Sequence, residues 1–410
     1  MSTERSVVFG LFALVLTIGL GEGPPLFCGT QDSSISTEAR AYLEHALDVM
    51  QQNALHRETI DWGTLRKETM EHAAGAEVPV DTYDAIRWAL KQVNRHSFLQ
   101  LQPQLEKQEA DRKSHVKPTL KSTTMETQRE AASIFTSRDK PETRLLQRDG
   151  VKIGYVVVPH FSPRDNIDGV RFETTLQHLI AQLDADHARA WVIDLRGNGG
   201  GNMWPMMAGL GPLLGEGVAG AFHDSGGESL NWFYRDGAAG YEGAESWSYP
   251  RVDGVPYRTA GSLPVAVLID RGTASSAEAV AVAFHGRPHT RFFGEHTQGV
   301  STNNNNYVLS DGANMILTIG VYVDRNGNEY QDGIEPDVRI ASQKELQPPL
   351  VESDNAINAA VEWLVSGTGG NRGSERLSFR TDCLQKDSRS PALIRIVVAS
   401  ISSAATSFVE

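Results

Sequence analysis

One stretch of this chain, Val265–Phe284, joins a buried strand to a helix across a turn that carries two serines. Five consecutive apolar residues, Val265–Ile269, are typical of a buried strand, and apolar positions three and four residues apart predict a helix from Ser275 onward. The serines therefore lie at a helix N-terminus, where unpaired N–H groups and the helix dipole favour negative charge. Such a position suits a nucleophile whose reaction develops an oxyanion, although serine more often serves there as a plain helix cap.

The composition is that of an ordinary globular protein, with 40% apolar and 22% charged residues in a chain of 410. This length suits one sizeable domain and an accessory region. The formal net charge of −13, without a basic run, argues against nucleic acid as a partner and favours cationic peptides. Two cysteines, Cys28 and Cys383, exclude a disulfide framework.

The N-terminal segment predicts a secretion signal or a short membrane anchor. Val7–Leu20 is apolar and follows Arg5, but it is shorter than the ~20 residues that a transmembrane helix needs. A lipoprotein motif around Cys28 is disfavoured because Pro25 and Phe27 stand where small residues are required. We therefore expect an extracytoplasmic protein that is periplasmic, secreted or attached to the membrane through its N-terminus.

Helical periodicity follows over Ser36–Leu55, Glu58–Ala73 and a segment that ends at Asn94, which predicts a small N-terminal helical bundle. From Pro103 to about Lys140 the chain is polar and aperiodic, which predicts a linker or cap segment. The expected divisions are a signal or anchor (1–30), a helical domain (31–102), a linker or cap (103–145), a catalytic core (146–366) and a disordered tail (367–410).

The central part of the chain predicts an α/β core. Between its strands and helices, Gly215–Ala260 is rich in Gly, Ser, Trp and Tyr, and we expect it to line the substrate groove, a plain surface hairpin being the alternative. Tyr307–Val323 predicts two strands joined by a turn at Asp311-Gly312. The remaining elements are expected at Val151–Val158, Val170–Leu183, Trp191–Leu195, Trp204–Leu214 and Asp354–Leu364.

Three motifs surround the serine turn. Asp194–Gly201 reads D-x-R-x-N-x-G-G, Gly294–Gly299 reads G-E-x-T-x-G, and Gly333–Asp337 reads G-I-x-P-D. With the serine turn, this order and spacing resemble the C-terminal-processing (tail-specific) serine peptidases over roughly half of the chain. The resemblance implies a crotonase/ClpP-like core, a serine nucleophile, an acyl-enzyme, and no metal or other cofactor.

The usual peptide-binding PDZ domain of that family has no room here, because the aperiodic segment is shorter than the ~50 residues of a compact domain. The sequences TASSAE, GGNMWPM and VYVDRNG resemble instead the branch that includes the nisin-resistance protein and tricorn-type peptidases. Recognition of a free C-terminal tail is therefore not implied.

The general base must differ from that of the tail-specific branch. Its lysine corresponds to Val300, and no lysine occurs between Lys152 and Lys344. Histidine is the remaining common base. His96 resembles the histidine that reaches the core serine from the helical region in the tricorn-type branch, although a helix-end histidine commonly just contacts carbonyls. His296, in the G-E-x-T-x-G loop, is the alternative base.

The nucleophile of the family stands three residues before a glutamate, so Glu278 selects Ser275 over Ser276. The resemblance then implies an oxyanion hole made by the N–H groups of Ser276 and Gly200. The Asp194–Arg196 pair is expected to brace its loop internally.

The residues that orient His96 are suggested by analogy with the tricorn type, whose relay ends in a glutamate. Ser97 is the expected first residue of this hydrogen-bond relay, with Glu329 or Glu335 as its acidic residue, and the sequence leaves that choice open.

The predicted function is a serine endopeptidase that cleaves peptides or protein tails. The alternative is a peptide- or ligand-binding protein on the same fold without catalysis.

Overall fold

The computed structural model describes residues 34–115, 140–244, 246–341, 354–368 and 395–397. None of the helices in these ranges is both long and apolar enough to cross a membrane, and the predicted secretion segment lies outside the ranges. The helices are α1 (Thr37–Asn53), α2 (Trp62–His72), α3 (Tyr83–Val93), α4 (Pro103–His115), α5 (Asn166–Ala185), α6 (Met203–Leu214), α7 (Ser276–Phe284) and α8 (Asn355–Thr368).

The strands at Val151–Val157, Ala190–Asp194 and Val265–Ile269 match the predicted bounds to within one residue at each end. In chain order the strands are β1 (Phe98–Gln100), β2 (Glu142–Arg148), β3 (Val151–Val157), β4 (Ala190–Asp194), β5 (Gly217–Asp224), β6 (Ser229–Arg235), β7 (Ala238–Glu242), β8 (Trp247–Ser248), β9 (Val265–Ile269), β10 (Thr290–Gly294), β11 (Thr302–Val308), β12 (Asn314–Asp324), β13 (Glu329–Tyr330), β14 (Val338–Arg339) and β15 (Arg395–Val397).

One sheet has the order β14-β10-β9-β4-β3-β2-β15. The pairs from β14 to β3 are parallel, whereas β2 pairs antiparallel with both of its neighbours. Central strands β4 and β9 are buried along their whole length, as expected for a parallel sheet covered on both faces. Because parallel strands end at the same edge, the loops after β4 and β9 meet there. The last strand, β15, falls within the tail that was expected to be disordered.

The second sheet has the order β1-β12-β5-β6-β7-β8, with β11 and β13 also paired to β12. The predicted hairpin at Asp311-Gly312 is confirmed, because β11 and β12 pair antiparallel across it. One apolar cluster combines the N-terminal helices with residues of this hairpin, among them Leu309, Met315 and Leu317. The helical region is thus packed directly on the core sheet.

Helix α4 was missed by the prediction of an aperiodic linker from Pro103. Its only large apolar residue, Leu105, is buried in the N-terminal cluster, and Glu109 accepts hydrogen bonds from both terminal nitrogens of Arg87. The rest of the predicted linker, 116–139, lies outside the described residues.

Candidate active site

Ser275 occupies the turn between β9 and α7 in a conformation that non-glycine residues seldom adopt. Its φ of 51° and ψ of −117° match the first central residue of a type II′ turn. Such backbone strain costs about 1–3 kcal/mol and persists only where surrounding contacts enforce it. The neighbouring hydroxyl of Ser276 donates to the carbonyl of Gly201 at 2.7 Å. Ser276 therefore acts as a brace, while Ser275 stands at the strained position.

Glu278 is the residue that enforces this turn. It is fully buried, and its carboxylate accepts from the N–H of Ser275 at 2.8 Å and from the hydroxyl of Thr297 at 2.6 Å. It also accepts from the N–H groups of Gly299 and Val300, at 2.9 and 3.0 Å. The carboxylate thus ties the serine turn to the G-E-x-T-x-G loop. Val300, where the family has a lysine, contributes a backbone donor here.

The glycine loop after β4 packs directly on the serine turn. Gly200 has a φ of +101°, and a Cβ there would lie 2.9 Å from the carbonyl oxygen of Ala274 and 3.0 Å from Cβ of Ser275 and N of Ser276. Only glycine permits this approach. The N–H of Gly200 donates to Oδ1 of Asn198 at 2.9 Å, and the carbonyl of Asn198 accepts from the N–H of Ala274 at 2.9 Å.

The Asp194–Arg196 ion pair was predicted and is confirmed, at 2.7 Å. The Tyr155 hydroxyl donates to Asp194 at 2.6 Å, and Asp354 binds the other side of the guanidinium at 2.8 Å. Burial alone would raise the pKa of Asp194, but the guanidinium outweighs burial and the pKa is lowered. The carboxylate therefore stays charged and braces the loop.

His96 lies between α3 and β1, directly beyond the helix as predicted. Its backbone N–H donates to Oδ1 of Asn94 at 2.8 Å, and its Nδ1 lies 2.7 Å from the hydroxyl of Thr302. Burial, with a smaller effect from the charge of Arg95, lowers the pKa of His96 to about 4. The imidazole is therefore neutral at neutral pH, which is the form that a base requires.

A short chain of contacts connects His96 with Ser275. Thr302 begins β11 and pairs with Val321 of β12. The next residue, Tyr322, is buried, which raises the pKa of its phenol, and the Ser275 side chain is near enough to oppose that shift. Sequence reasoning missed both Thr302 and Tyr322, because their roles depend on pairing between distant segments.

The expected relay through Ser97 and Glu329 is not the arrangement found. Ser97 is buried, and its hydroxyl accepts from the N–H of Thr318 at 2.9 Å, which fastens the start of β1 to β12. Glu329 is hydrogen-bonded to Nδ1 of His223 at 2.8 Å, because β13 and β5 both flank the end of β12. Within the described ranges, Thr302 is the hydrogen-bond partner of the His96 ring.

The alternative base, His296, has a different environment. Its Nδ1 lies 2.6 Å from the carbonyl oxygen of Thr297, and its Nε2 lies 3.9 Å from a carboxylate oxygen of Glu335. Glu335 also forms an ion pair with Arg339 at 2.6 Å. Of the two glutamates considered for the relay, Glu335 lies next to His296 and Glu329 is hydrogen-bonded to His223.

Comparison with known proteins places this chain among the serine-type peptidases. Residues 152–340, 189 of the 410 residues, match the model of peptidase family S41. The matched segment contains the serine turn, the glycine loop and the G-E-x-T-x-G loop, whereas His96 lies outside it.

Two curated relatives and one solved structure extend the comparison. The nisin-resistance protein of Lactococcus lactis subsp. lactis is 25% identical over 327 residues, which cover 79% of this chain and 86% of that protein. The carboxy-terminal processing protease CtpA of Bacillus subtilis is 27% identical over 186 residues, 44% of this chain and 36% of that protein. The structure of a lipoprotein from Streptococcus agalactiae shares the fold, with a TM-score of 0.57, 21% identity, and coverage of 82% of this chain and 98% of that one.

Proposed function

We propose that this protein is a serine endopeptidase that cleaves peptides or protein tails through an acyl-enzyme, with Ser275 as nucleophile and His96 as general base. The observation that carries the proposal is the strained turn at Ser275, held by the buried carboxylate of Glu278 and packed against Gly200. Strain that is enforced by so many contacts is common at catalytic positions. The core would be crotonase/ClpP-like, with the helical region supplying the base.

In the proposed reaction, Nδ1 of His96 donates its hydrogen to Thr302 and Nε2 takes the proton of the Ser275 hydroxyl. The serine oxygen then attacks the peptide carbonyl carbon, and the carbonyl electrons move onto oxygen. His96 returns the proton to the leaving amine as the C–N bond breaks, which leaves an ester on Ser275. The same imidazole then takes a proton from a water molecule, whose oxygen attacks the ester carbonyl carbon. It passes that proton to the Ser275 oxygen as the ester C–O bond breaks, which releases the acid and restores the enzyme.

The oxyanion would be held first by the N–H of Ser276. It is the first helical residue of α7, so its N–H has no partner within the helix and lies at the positive end of the dipole. Gly200 is the proposed second donor. Because its N–H already donates to Asn198, it would share its hydrogen between that oxygen and the oxyanion.

A cationic peptide is the proposed substrate. The net charge of −13 favours such a ligand, and the similarity to the nisin-resistance protein agrees with it. The apolar N-terminal segment supports action outside the cytoplasm, in secreted or membrane-attached form.

Labelling by a fluorophosphonate probe tests the proposed pair. The wild type should react, and Ser275→Ala should not, whereas the matched variant Ser276→Ala should still react. His96→Ala should lose labelling and His296→Ala should keep it. If labelling were lost in His296→Ala but kept in His96→Ala, His296 would be the general base. A folded wild type that does not react at all would instead be a binding protein.

A further inference from the structure

Four aromatic side chains form a partly exposed surface beside the candidate active site. Trp204 begins α6, Phe222 lies on β5, Tyr241 on β7 and Trp247 on β8, and we call this set the aromatic wall. The ring of Trp204 lies 6.0 Å from those of Phe222 and Tyr241 and 5.6 Å from that of Trp247. Tyr241 and Trp247 stack at 5.9 Å. The rings therefore form one continuous apolar surface.

The aromatic wall reaches the nucleophile along two routes. Phe222 is the cross-strand partner of Tyr322, with ring centroids 5.9 Å apart, and the side chain of Tyr322 lies near that of Ser275. On the other side, the N–H of Trp204 donates to Asn202, which ends the glycine loop that packs on Ser275. The wall is thus continuous with the two segments that surround the reacting atoms.

The exposure of the wall distinguishes it from the core behind it. Trp232, which contacts Phe222 at 4.9 Å, is fully buried. The four wall residues are all partly exposed, and Trp247, at the far end, is 42% exposed. Aromatic rings that stay accessible next to a reaction centre gain most by covering an apolar group of the ligand, because burial of apolar surface is favourable and rings pack well on one another.

We propose that the aromatic wall binds an apolar side chain of the substrate close to the scissile bond, so that the enzyme prefers peptides with an aromatic or large aliphatic residue there. The proposal deepens the proposed function and rests on it, since it defines a specificity site for cleavage at Ser275. Side chains from the Gly215–Ala260 segment, which contributes Phe222, Tyr241 and Trp247, would then set the cleavage preference.

The test uses the full chain and two peptides that differ at one residue next to the cleaved bond, with phenylalanine in one and alanine in the other. The cleavage position is first found by mass spectrometry of a mixed peptide library. The wild type should prefer the phenylalanine peptide, and Trp247→Ala should reduce the ratio of the two kcat/KM values on the order of 10-fold. Trp247→Phe should largely keep the ratio. Val255→Ala, at an apolar residue that is 93% exposed and outside the wall, should leave it unchanged.

Failure of the inference is distinguishable from failure of the proposed function. Fluorophosphonate labelling that is kept in Trp247→Ala shows that the nucleophile is intact, and an unchanged preference in that variant would then overturn the inference alone. Binding of the same two peptides to Ser275→Ala, measured by fluorescence anisotropy, is independent of cleavage. Equal affinities of this variant for both peptides would also overturn the inference, even if the wild type proved inactive.

Discussion

The hydroxyl oxygen of Thr302 lies 2.7 Å from Nδ1 of His96. A hydroxyl can accept the hydrogen of Nδ1 and so fix the orientation of the ring, but it brings no negative charge to stabilise the imidazolium. Burial and the charge of Arg95 therefore act unopposed and lower the pKa of His96 to about 4. Among the residues that the structure describes, the proposed base is thus an oriented, neutral imidazole without a carboxylate partner.

Thr302→Val should reduce kcat about 10-fold, because the ring loses its hydrogen-bond acceptor while the side-chain shape is kept. The loss should be smaller than the roughly 10²–10⁴-fold contribution of a general base itself. Thr302→Ser keeps the hydroxyl and should retain most activity. Separate measurement of kcat and KM checks this, and an equal effect of valine and serine would show that Thr302 acts by packing alone.

The pH dependence of kcat/KM should have its acid limb near pH 4. His96 must be neutral to accept a proton, and its lowered pKa means that protonation inactivates the enzyme only as the pH falls to about 4, well below the ordinary value for histidine. Arg95→Gln removes a positive neighbour and should move the limb to higher pH. A wild-type limb near pH 6.5 that does not move in Arg95→Gln would contradict this placement of the base.

Gly200→Ala should abolish most activity, with a loss of about 10² or more in kcat. A Cβ at this position would press on the carbonyl of Ala274 and on the Ser275–Ser276 backbone, where the oxyanion is expected. Gly215→Ala is the matched control, because Gly215 also has a positive φ, of +85°, but a Cβ there meets no atom of the described residues within 4 Å. Similar losses in both variants would mean that backbone strain, rather than obstruction of the site, explains the effect.

Much of the fold could be predicted because its signals are local. The apolar run of β9 and the periodicity of α1 lie within single segments, and the motifs located the serine turn and the glycine loop. Helix α4 escaped detection because Leu105 is its only large apolar residue, so it has almost no apolar periodicity. Its position depends on contacts with α3, which the local pattern does not contain.

The side chains around the proposed base were harder to predict, because their contacts join segments that lie far apart in the sequence. Thr302 meets His96 across 206 positions of sequence, and Tyr322 reaches Ser275 only because β12 runs beside β5 and against α7. Glu329 was expected near His96 by analogy, but the register of β12 with β5 and β13 brings it to His223. Pairing of distant strands, rather than residue type, decides which polar groups meet.

Glu173 on α5 predicts a pH-dependent stability that is separate from catalysis. Its side chain is fully buried, neither oxygen has a hydrogen-bond partner within the described ranges, and the nearby hydroxyl of Tyr249 has none there either. Burial raises the pKa of Glu173 to about 9, so the folded protein holds this proton at neutral pH. The unfolded chain, with the ordinary glutamate pKa, releases it above about pH 4.5.

Because the folded state binds the proton more tightly, this group's contribution to stability is complete below about pH 4.5 and is lost progressively as the pH rises toward 9. Glu173→Gln cannot titrate and should remove that slope. Its free energy of unfolding, relative to the wild type, should therefore rise between pH 6 and pH 8 by at most about 3 kcal/mol, since each pH unit contributes at most about 1.4 kcal/mol. Chemical denaturation at both pH values measures the difference, with Glu228→Gln, at an exposed position, as the control. Parallel curves for wild type and Glu173→Gln would mean that the Glu173 carboxyl is ionised in the folded protein and that its pocket is open to water.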